Sequence, residues 1–204
     1  NYLAMIEGMV FGDSQQAGVT RGNEFFHGPL NLYLSSPENW EIINNANSLV
    51  FNAPFGEATL QVTLEDRNFV ESPEDYLKRF VRNTTDEEVL MIDGLSGFTA
   101  KTYRSGRTTR MAVIFKDDKA YQFIAYLEDR DGDFSSYDLQ FMNIIKSIRS
   151  LTKRELKYSQ PLRIKTYKVR QGDTYESIAS TSSITLNPED QFRLLNGDYP
   201  DQEL

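Results

Sequence analysis

Two apolar runs flank the four residues Lys116-Asp117-Asp118-Lys119 in the stretch TTRMAVIFKDDKAYQFIAYLE. A short charged turn between runs rich in β-branched and aromatic residues predicts a β-hairpin, and a hairpin commits a chain to antiparallel sheet. Further runs of the same kind precede it. LNLYLS alternates Leu30, Leu32 and Leu34, and the turn SPENW behind it carries Trp40, the single tryptophan. EIIN, SLVFNA, ATLQVTLE and GFTAKTYRS read as strands as well. Two segments have helical spacing instead. SPEDYLKRFVRN offers Ser72 as N-cap, Pro73 at the first helical position, and Glu74 and Asp75 to meet the helix dipole. Its apolar face is Tyr76, Leu77, Phe80 and Val81. SSYDLQFMNIIKSIRSL repeats apolar residues at Tyr137, Phe141, Ile144, Ile145, Ile148 and Leu151. Residues 24–152 are therefore expected to form an α+β sandwich, an antiparallel sheet covered by helices.

The flanks read differently. YLAMIEGMVFG places Tyr2, Ile6, Met9 and Val10 on one helical face ended by Gly12, and GDSQQAGVTRGN is a polar, glycine-containing connector. Residues 1–23 are thus expected to be a helix and connector belonging to an upstream domain, and Asn1 in first place fits a fragment. Residues 153–163 form a basic linker. From Lys146 to Arg170 there are nine bases against the single acid Glu155, a window of +8 in a chain of net charge −8, which leaves −16 elsewhere. Bases late in a helix followed by a solvated linker account for it. The other readings are a surface for an anionic partner and a clamp onto the acidic domain. The overall charge argues against nucleic acid as a partner. No apolar run approaches the ~20 residues needed to cross a bilayer.

Composition bounds the chemistry more tightly than the fold. At 204 residues the chain holds one ordinary domain plus a small module. It has no cysteine, which removes disulfides, thiolate metal sites and cysteine nucleophiles. His27 is the only histidine, whereas H-E-x-x-H zinc sites need two on one helix and a serine triad needs one beside a nucleophile elbow that is not present. In FFHGP, His27 sits where a strand meets a turn and reads as a surface or capping residue. No Walker or dinucleotide glycine pattern occurs. No catalytic residue and no bound metal is expected in this chain. Asp129, Asp131 and Asp133 have the first three ligand spacings of a calcium loop, but Phe134 and Gln140 stand where that loop wants glycine and glutamate. A turn leading into a serine-capped, acid-started helix explains the same residues. A glycosidase pair such as Asp131 with Asp133 has no supporting cleft signal.

Past the linker, YKVRQGDTYESIAS reads as a strand through Tyr167 and Val169 and a turn at Gly172-Asp173-Thr174. Asp173 or Thr174 caps a helix there that buries Ile178 and Ala179. A second helix starts at Pro188, turns Phe192 and Leu195 inward and ends at Asn196-Gly197. GDT, SIA and LLNG in this order resemble a LysM repeat over residues 164–199. Glu176 stands where an aromatic is common, and the closing Pro-Gly-x-x-Leu strand is lacking, so residues 164–204 make an incomplete β-α-α module. The resemblance implies binding of N-acetylglucosamine polymers such as peptidoglycan through two loops. Carried over, these are Gly172, Asp173, Thr174 and Tyr175, with Asn196, Gly197 and Asp198.

YLAMIEGMVFGDS, VTRGNEFFHGPLNLYLSSPENW, IDGLSGFTAK and FMNIIKSIRSLT joined to PLRI together resemble the C-terminal region of bacterial envelope zinc metallopeptidases of peptidase family M forty-eight. The central part is similar to PsbP-like α/β/α sandwiches. This resemblance implies a non-catalytic accessory region whose zinc-bearing H-E-x-x-H domain lies upstream. It would work in the cell envelope, on the periplasmic side, positioning the protease or binding substrate proteins, partners or cell wall. The alternative is a free-standing cell-wall glycan-binding protein acting through the LysM-like module, and an enzyme in its own right is disfavoured by the residue inventory.

Overall fold

Five consecutive apolar residues, Met111 to Phe115, are all buried, which a strand achieves only when both faces of its sheet are covered. The structure, a computed structural model, describes residues 2–12, 16–184 and 187–198. Its elements begin with α1 (Tyr2–Ile6), β1 (Val10–Phe11), β2 (Val19–Arg21), β3 (Glu24–His27), β4 (Leu32–Ser35), β5 (Glu41–Asn44), β6 (Leu49–Asn52) and β7 (Ala58–Asp66). There follow α2 (Pro73–Lys78), β8 (Thr85–Ile92), β9 (Leu95–Arg104), β10 (Arg107–Lys116), β11 (Lys119–Leu127) and α3 (Ser135–Lys146). The last are β12 (Leu162–Arg163), α4 (Tyr175–Ala179) and α5 (Pro188–Asn196). The chain divides into two compact units, one of residues 14–160 and one built from both flanks, residues 1–13 and 161–204.

The larger unit is α+β. Seven antiparallel strands run in the order β5-β6-β7-β11-β10-β9-β8, beside a three-stranded antiparallel sheet β2-β3-β4. The expected hairpin is β10–β11, with Lys116 opposite Lys119. Side chains of β10 alternate between two cores. Ala112 and Ile114 join Phe141, Ile144, Ile145 and Ile148 of the α3 segment, with Leu34 and Trp40. Met111, Val113 and Phe115 join Tyr76, Leu77 and Val81 on the α2 side. The capping of α2 follows its sequence, since Asp75 N–H donates to Ser72 Oγ at 3.1 Å. Phe80, counted above on its apolar face, is instead half exposed.

Three departures follow from pairing with other elements. Val19–Arg21, placed in a connector by the sequence, pairs with β3 as part of the small sheet. The acidic run Asp86-Glu87-Glu88 hides an edge strand, β8, whose outer side faces solvent. The last long helix stops at Lys146 rather than Leu151. Ser147 Oγ accepts from Ser35 N–H at 2.9 Å, and Arg149 exchanges both backbone bonds with Tyr33, so the chain is pulled onto β4. The buried Ile148 therefore serves the core from outside the helix. Residues 153–160, read as linker, also belong to this unit and contain a 3₁₀ turn at Glu155–Lys157.

In the smaller unit, β1 pairs with β12 in antiparallel fashion. Gly8, at φ +80°, ends α1 after Ile6, so Met9 and Val10 are not helical and the helix does not reach Gly12. Gly8 N–H donates to Ile164 C=O at 2.8 Å and Ile164 N–H to Met9 C=O at 2.9 Å. Residues 1–12 thus share a unit with the C-terminal segment. Tyr167 and Val169, expected in a strand, have no ladder partner among the described residues. The segment after Asp198, where the closing strand is missing from the sequence pattern, lies outside the described residues.

Charge fixes α3 to the sheet. Arg110, 5% exposed, lies on the same side of β10 as Ala112 and Ile114. Its guanidinium donates to both oxygens of Asp138 in the first turn of α3, at 2.9 and 2.7 Å, and to the Asp86 carbonyl at 3.2 Å. Lys101 Nζ reaches Asp138 at 2.8 Å and Asp86 at 2.7 Å. Burial pushes the Asp138 carboxyl up, but the bonds from Arg110 and Lys101 outweigh it and hold it below its ordinary value. Removing one member leaves a buried charge uncompensated. Asp138→Ala should therefore lower the stability of the full chain by about 3 kcal/mol or more in urea unfolding. Glu88→Gln, which breaks only the exposed pair with Lys146, should cost less than about 1 kcal/mol. Equal effects would show that the Arg110 anchor is not stabilising.

Candidate functional site

Gly172 to Tyr175 and Asn196 to Asp198, the two loops named by the LysM resemblance, lie in the smaller unit and meet at one point. Thr174, not Asp173, is the cap of α4. Its Oγ1 accepts from Ser177 N–H at 3.1 Å while Ser177 Oγ accepts from Thr174 N–H at 2.9 Å, a reciprocal capping box. Asp173 holds the turn, its Oδ2 accepting from Arg170 N–H at 2.7 Å and from the Tyr167 hydroxyl at 3.1 Å. Gly197 ends α5 at φ +69°, a left-handed position that suits glycine. Asp198 N–H then returns to Arg193 C=O at 3.0 Å, and Asn196 Nδ2 donates to Phe192 C=O at 2.8 Å.

Tyr175 and Asp198 are the residues brought together. The Asp198 carboxylate beside the Tyr175 hydroxyl raises the phenol above its ordinary value. The Tyr175 ring packs edge-on against Phe192, with centroids 5.7 Å apart, and carries the Arg193 guanidinium 4.4 Å from its centre. Arg193 is in turn held by Glu189 at 2.7 Å. This cluster clamps α4 to α5. Leu195, expected inside, is 45% exposed, as Phe192 takes the inward place. An open cleft of about 360 Å³ lies between the same helices, lined by Glu176, Ala179, Asn187, Pro188, Glu189 and Asp190. None of the seven loop residues lines it. Its acidic rim was not signalled by any motif, because Glu176 comes from α4 and Glu189 and Asp190 from α5.

The remaining candidates have structural partners. Asp129 Oδ1 accepts from Asp131 N–H at 3.1 Å, and Asp133 Oδ1 accepts from Ser135 N–H at 3.0 Å at the start of α3. The three aspartates do not converge, and no group of three histidine, cysteine, aspartate or glutamate side chains able to hold a metal occurs among the described residues. His27 Nδ1 accepts from Leu30 N–H at 3.2 Å, closing the turn between β3 and β4. Burial holds its pKa below the ordinary value. The basic window is not uniform. Arg149 stacks on Tyr33 at 3.7 Å and forks onto both oxygens of Glu155 at 2.8 Å, while Lys146 reaches Glu88 at 3.1 Å. Arg163 Nη1 donates to Gly8 C=O at 2.8 Å.

The class that the fold defines is an α+β protein built on an antiparallel sheet with helices on both faces. No family model matches the chain, and no curated protein sequence matches it. Among solved structures it is similar to cyanobacterial PsbP (CyanoP) from Synechocystis, at 14% identity and TM-score 0.48, covering 71% of this chain and 98% of that one. A protein from Bacteroides thetaiotaomicron aligns at 12% identity and TM-score 0.47 over 67% of this chain, which spans about half of that protein's length (51%). LpqN, involved in cell envelope biogenesis of Mycobacterium tuberculosis, aligns at 14% identity and TM-score 0.37, covering 57% of this chain and 82% of that one. No helix among the described residues is long and apolar enough to cross a membrane.

The Arg149 fork has a measurable signature. It lowers the Glu155 carboxyl from an ordinary 4.5 to about 2, with further bonds from Thr152. A carboxyl depressed on folding adds stability that is complete above its unfolded pKa and is lost as pH falls through the folded one. The contribution of Glu155 should therefore fade between pH 4.5 and about 2. Carboxyl carbon shifts in an NMR titration should place its midpoint near the lower end, and Glu155→Gln should flatten the acid limb of the stability profile. A midpoint at the ordinary value would remove the fork.

Proposed function

We propose that this chain is a non-catalytic region of a bacterial cell-envelope protein that works through its surfaces. In this reading a PsbP-like sandwich accompanies an upstream zinc metallopeptidase domain, and it positions that domain or recruits its substrates and partners. The observation that carries the reading is the engagement of His27, the only imidazole in a chain without cysteine. Its Nδ1 already accepts the Leu30 N–H. A protease-type zinc needs two histidines on one helix and a third ligand. Among the charged side chains of the large unit, Arg110, Asp138, Lys101, Arg149 and Glu155 fasten elements to one another. The reading predicts that the purified chain cleaves casein no faster than buffer, with or without zinc. Hydrolysis that a chelator abolishes would overturn it.

A second reading, a glycan-binding module, is favoured by one specific arrangement, Tyr175 of one predicted loop lying beside the Asp198 carboxylate of the other. Sugar hydroxyls would meet Asn196, Asp198 and the acidic cleft rather than a bare aromatic face, because Arg193 and Phe192 already take the Tyr175 ring. On this reading the full chain is retained on insoluble peptidoglycan, and Asn196→Ala, which removes only a bond to Phe192 C=O, weakens retention without altering the far-ultraviolet spectrum. Passage of the unmutated chain through the pellet assay unretained would eliminate it.

A further inference from the structure

The only histidine of the chain sits half-buried where the connector, β3 and the β3–β4 turn meet. Its Nδ1 accepts the Leu30 N–H at 3.2 Å across that turn. Leu30 is held at its other end too, its C=O accepting from Lys116 Nζ at 3.3 Å. The same turn holds the stretch after α3, since Asn31 Oδ1 accepts from Leu151 N–H at 3.0 Å. The other edge of the imidazole meets the connector. A Cβ on Gly18, which lies at φ +90°, would stand 3.1 Å from His27 Cδ2 and 2.3 Å from Phe25 Cζ, so bare backbone packs against both rings. Asn44 Nδ2 fixes that backbone to β5 through the Ala17 and Gly18 carbonyls, at 2.9 and 3.3 Å. Residues 16–18 and 151–160 are stretches of the larger unit that lead, along the chain, to the smaller one.

A neutral imidazole accepts at one nitrogen, whereas an imidazolium donates at both and accepts at neither. Protonation of His27 therefore breaks the Leu30 bond and turns two N–H groups toward each other. It also sets a second cation against a residue whose carbonyl already carries the Lys116 ammonium. Among the described residues no acid pairs with His27 to offset this. Glu24 on β3 and Arg21 on β2 lie opposite each other on the other face, with Glu24 taken by the Tyr33 hydroxyl at 2.6 Å. Asp117 pairs with Lys116. Gln16 to Gly18 of the connector, Leu32 on β4, Asn44 on β5 and Ser159 beside Gly28 carry no charge. We propose that His27 is an acid-sensitive latch, which keeps the β3–β4 turn and the connector closed while neutral and releases them on protonation. Burial holds the imidazole below its ordinary 6.5, against the pull of the Gln16 carbonyl beside it. A group that is harder to protonate in the fold than in the unfolded chain gives stability that is complete above 6.5 and lost as pH falls through the folded value. The latch is thus shut at neutral pH and opens below it. The inference does not depend on which domain lies upstream.

The test follows amide exchange of the full chain by NMR, each rate divided by its intrinsic value at the same pH. Between about pH 7.5 and about pH 5, Leu30 should lose protection about tenfold. The loss should run in step with titration of the His27 Cε1 proton, whose midpoint should fall below 6.5. Ile114, buried in the α3 core, should keep its protection throughout. His27→Asn, whose Oδ1 can accept the Leu30 N–H without titrating, should hold Leu30 protection level across the range. A His27 midpoint at or above 6.5, Leu30 protection that ignores pH, or an unchanged pH dependence in His27→Asn would each overturn the proposal. So would an equal loss at Ile114, which marks general unfolding rather than release of a turn. Should His27→Asn fail to fold, the unmutated chain decides alone, because Leu30 and Cε1 midpoints that differ would also overturn the latch.

Discussion

Strand β10 carries the large unit, because both of its faces are covered and both of its ends are charged. One face runs Arg110, Ala112, Ile114 and Lys116, and all four are buried. The apolar pair in the middle supplies transfer free energy to the α3 core. The charged ends fasten the covers. Arg110 holds α3 through Asp138, and Lys116 Nζ holds the loop before β4 through Leu30 C=O at 3.3 Å, with Asp117 as counter-ion. A buried base is tolerated only with such partners. The same strand therefore specifies the sheet, the helix above it and the small sheet beside that helix.

Much of this was legible because the two periods involved are strong. The KDDK hairpin, the helix led by Ser72 and Pro73, and the α+β class all follow from local pattern. The failures have a common cause in tertiary context. Asp86-Glu87-Glu88 reads as a solvated run, yet it is a strand because β9 offers an edge to pair with. Leu151 continues a helical spacing, but the Ser147 hydroxyl and the Arg149 backbone bond to β4 first. Val19–Arg21 sits among turn residues and shows its strand character only through β3. In the smaller unit the cap at Thr174 and the stop at Gly197 were readable from local chemistry. The resemblance named both loops, but not that Tyr175 and Asp198 lie beside each other. The pairing of β1 with β12 was not readable, since it joins residues about 150 positions apart.

The ionic inventory separates structural charge from charge with a free valence. Arg110, Lys101, Arg149 and Lys116 each have carboxylate or carbonyl partners within the large unit. In that company Arg67, stacked on the rings of Phe69 and Phe115, is unusual. Desolvating a donor without giving it an acceptor costs about 1–3 kcal/mol, and its Nε, buried and without a hydrogen-bond partner among the described residues, carries that cost in the fold.

The two rims of the seven-stranded sheet bear on how the protein behaves when crowded. β5 is only four residues long, and β8 carries three consecutive acids together with a register shift between Thr85 and Glu88. Short length, like charge and an irregular ladder all frustrate strand addition by another molecule. Val89 and Met91 can thus lie open on β8 without seeding intermolecular sheet, and at high concentration the molecule is protected from end-to-end polymerisation by the very acids that disguised this strand.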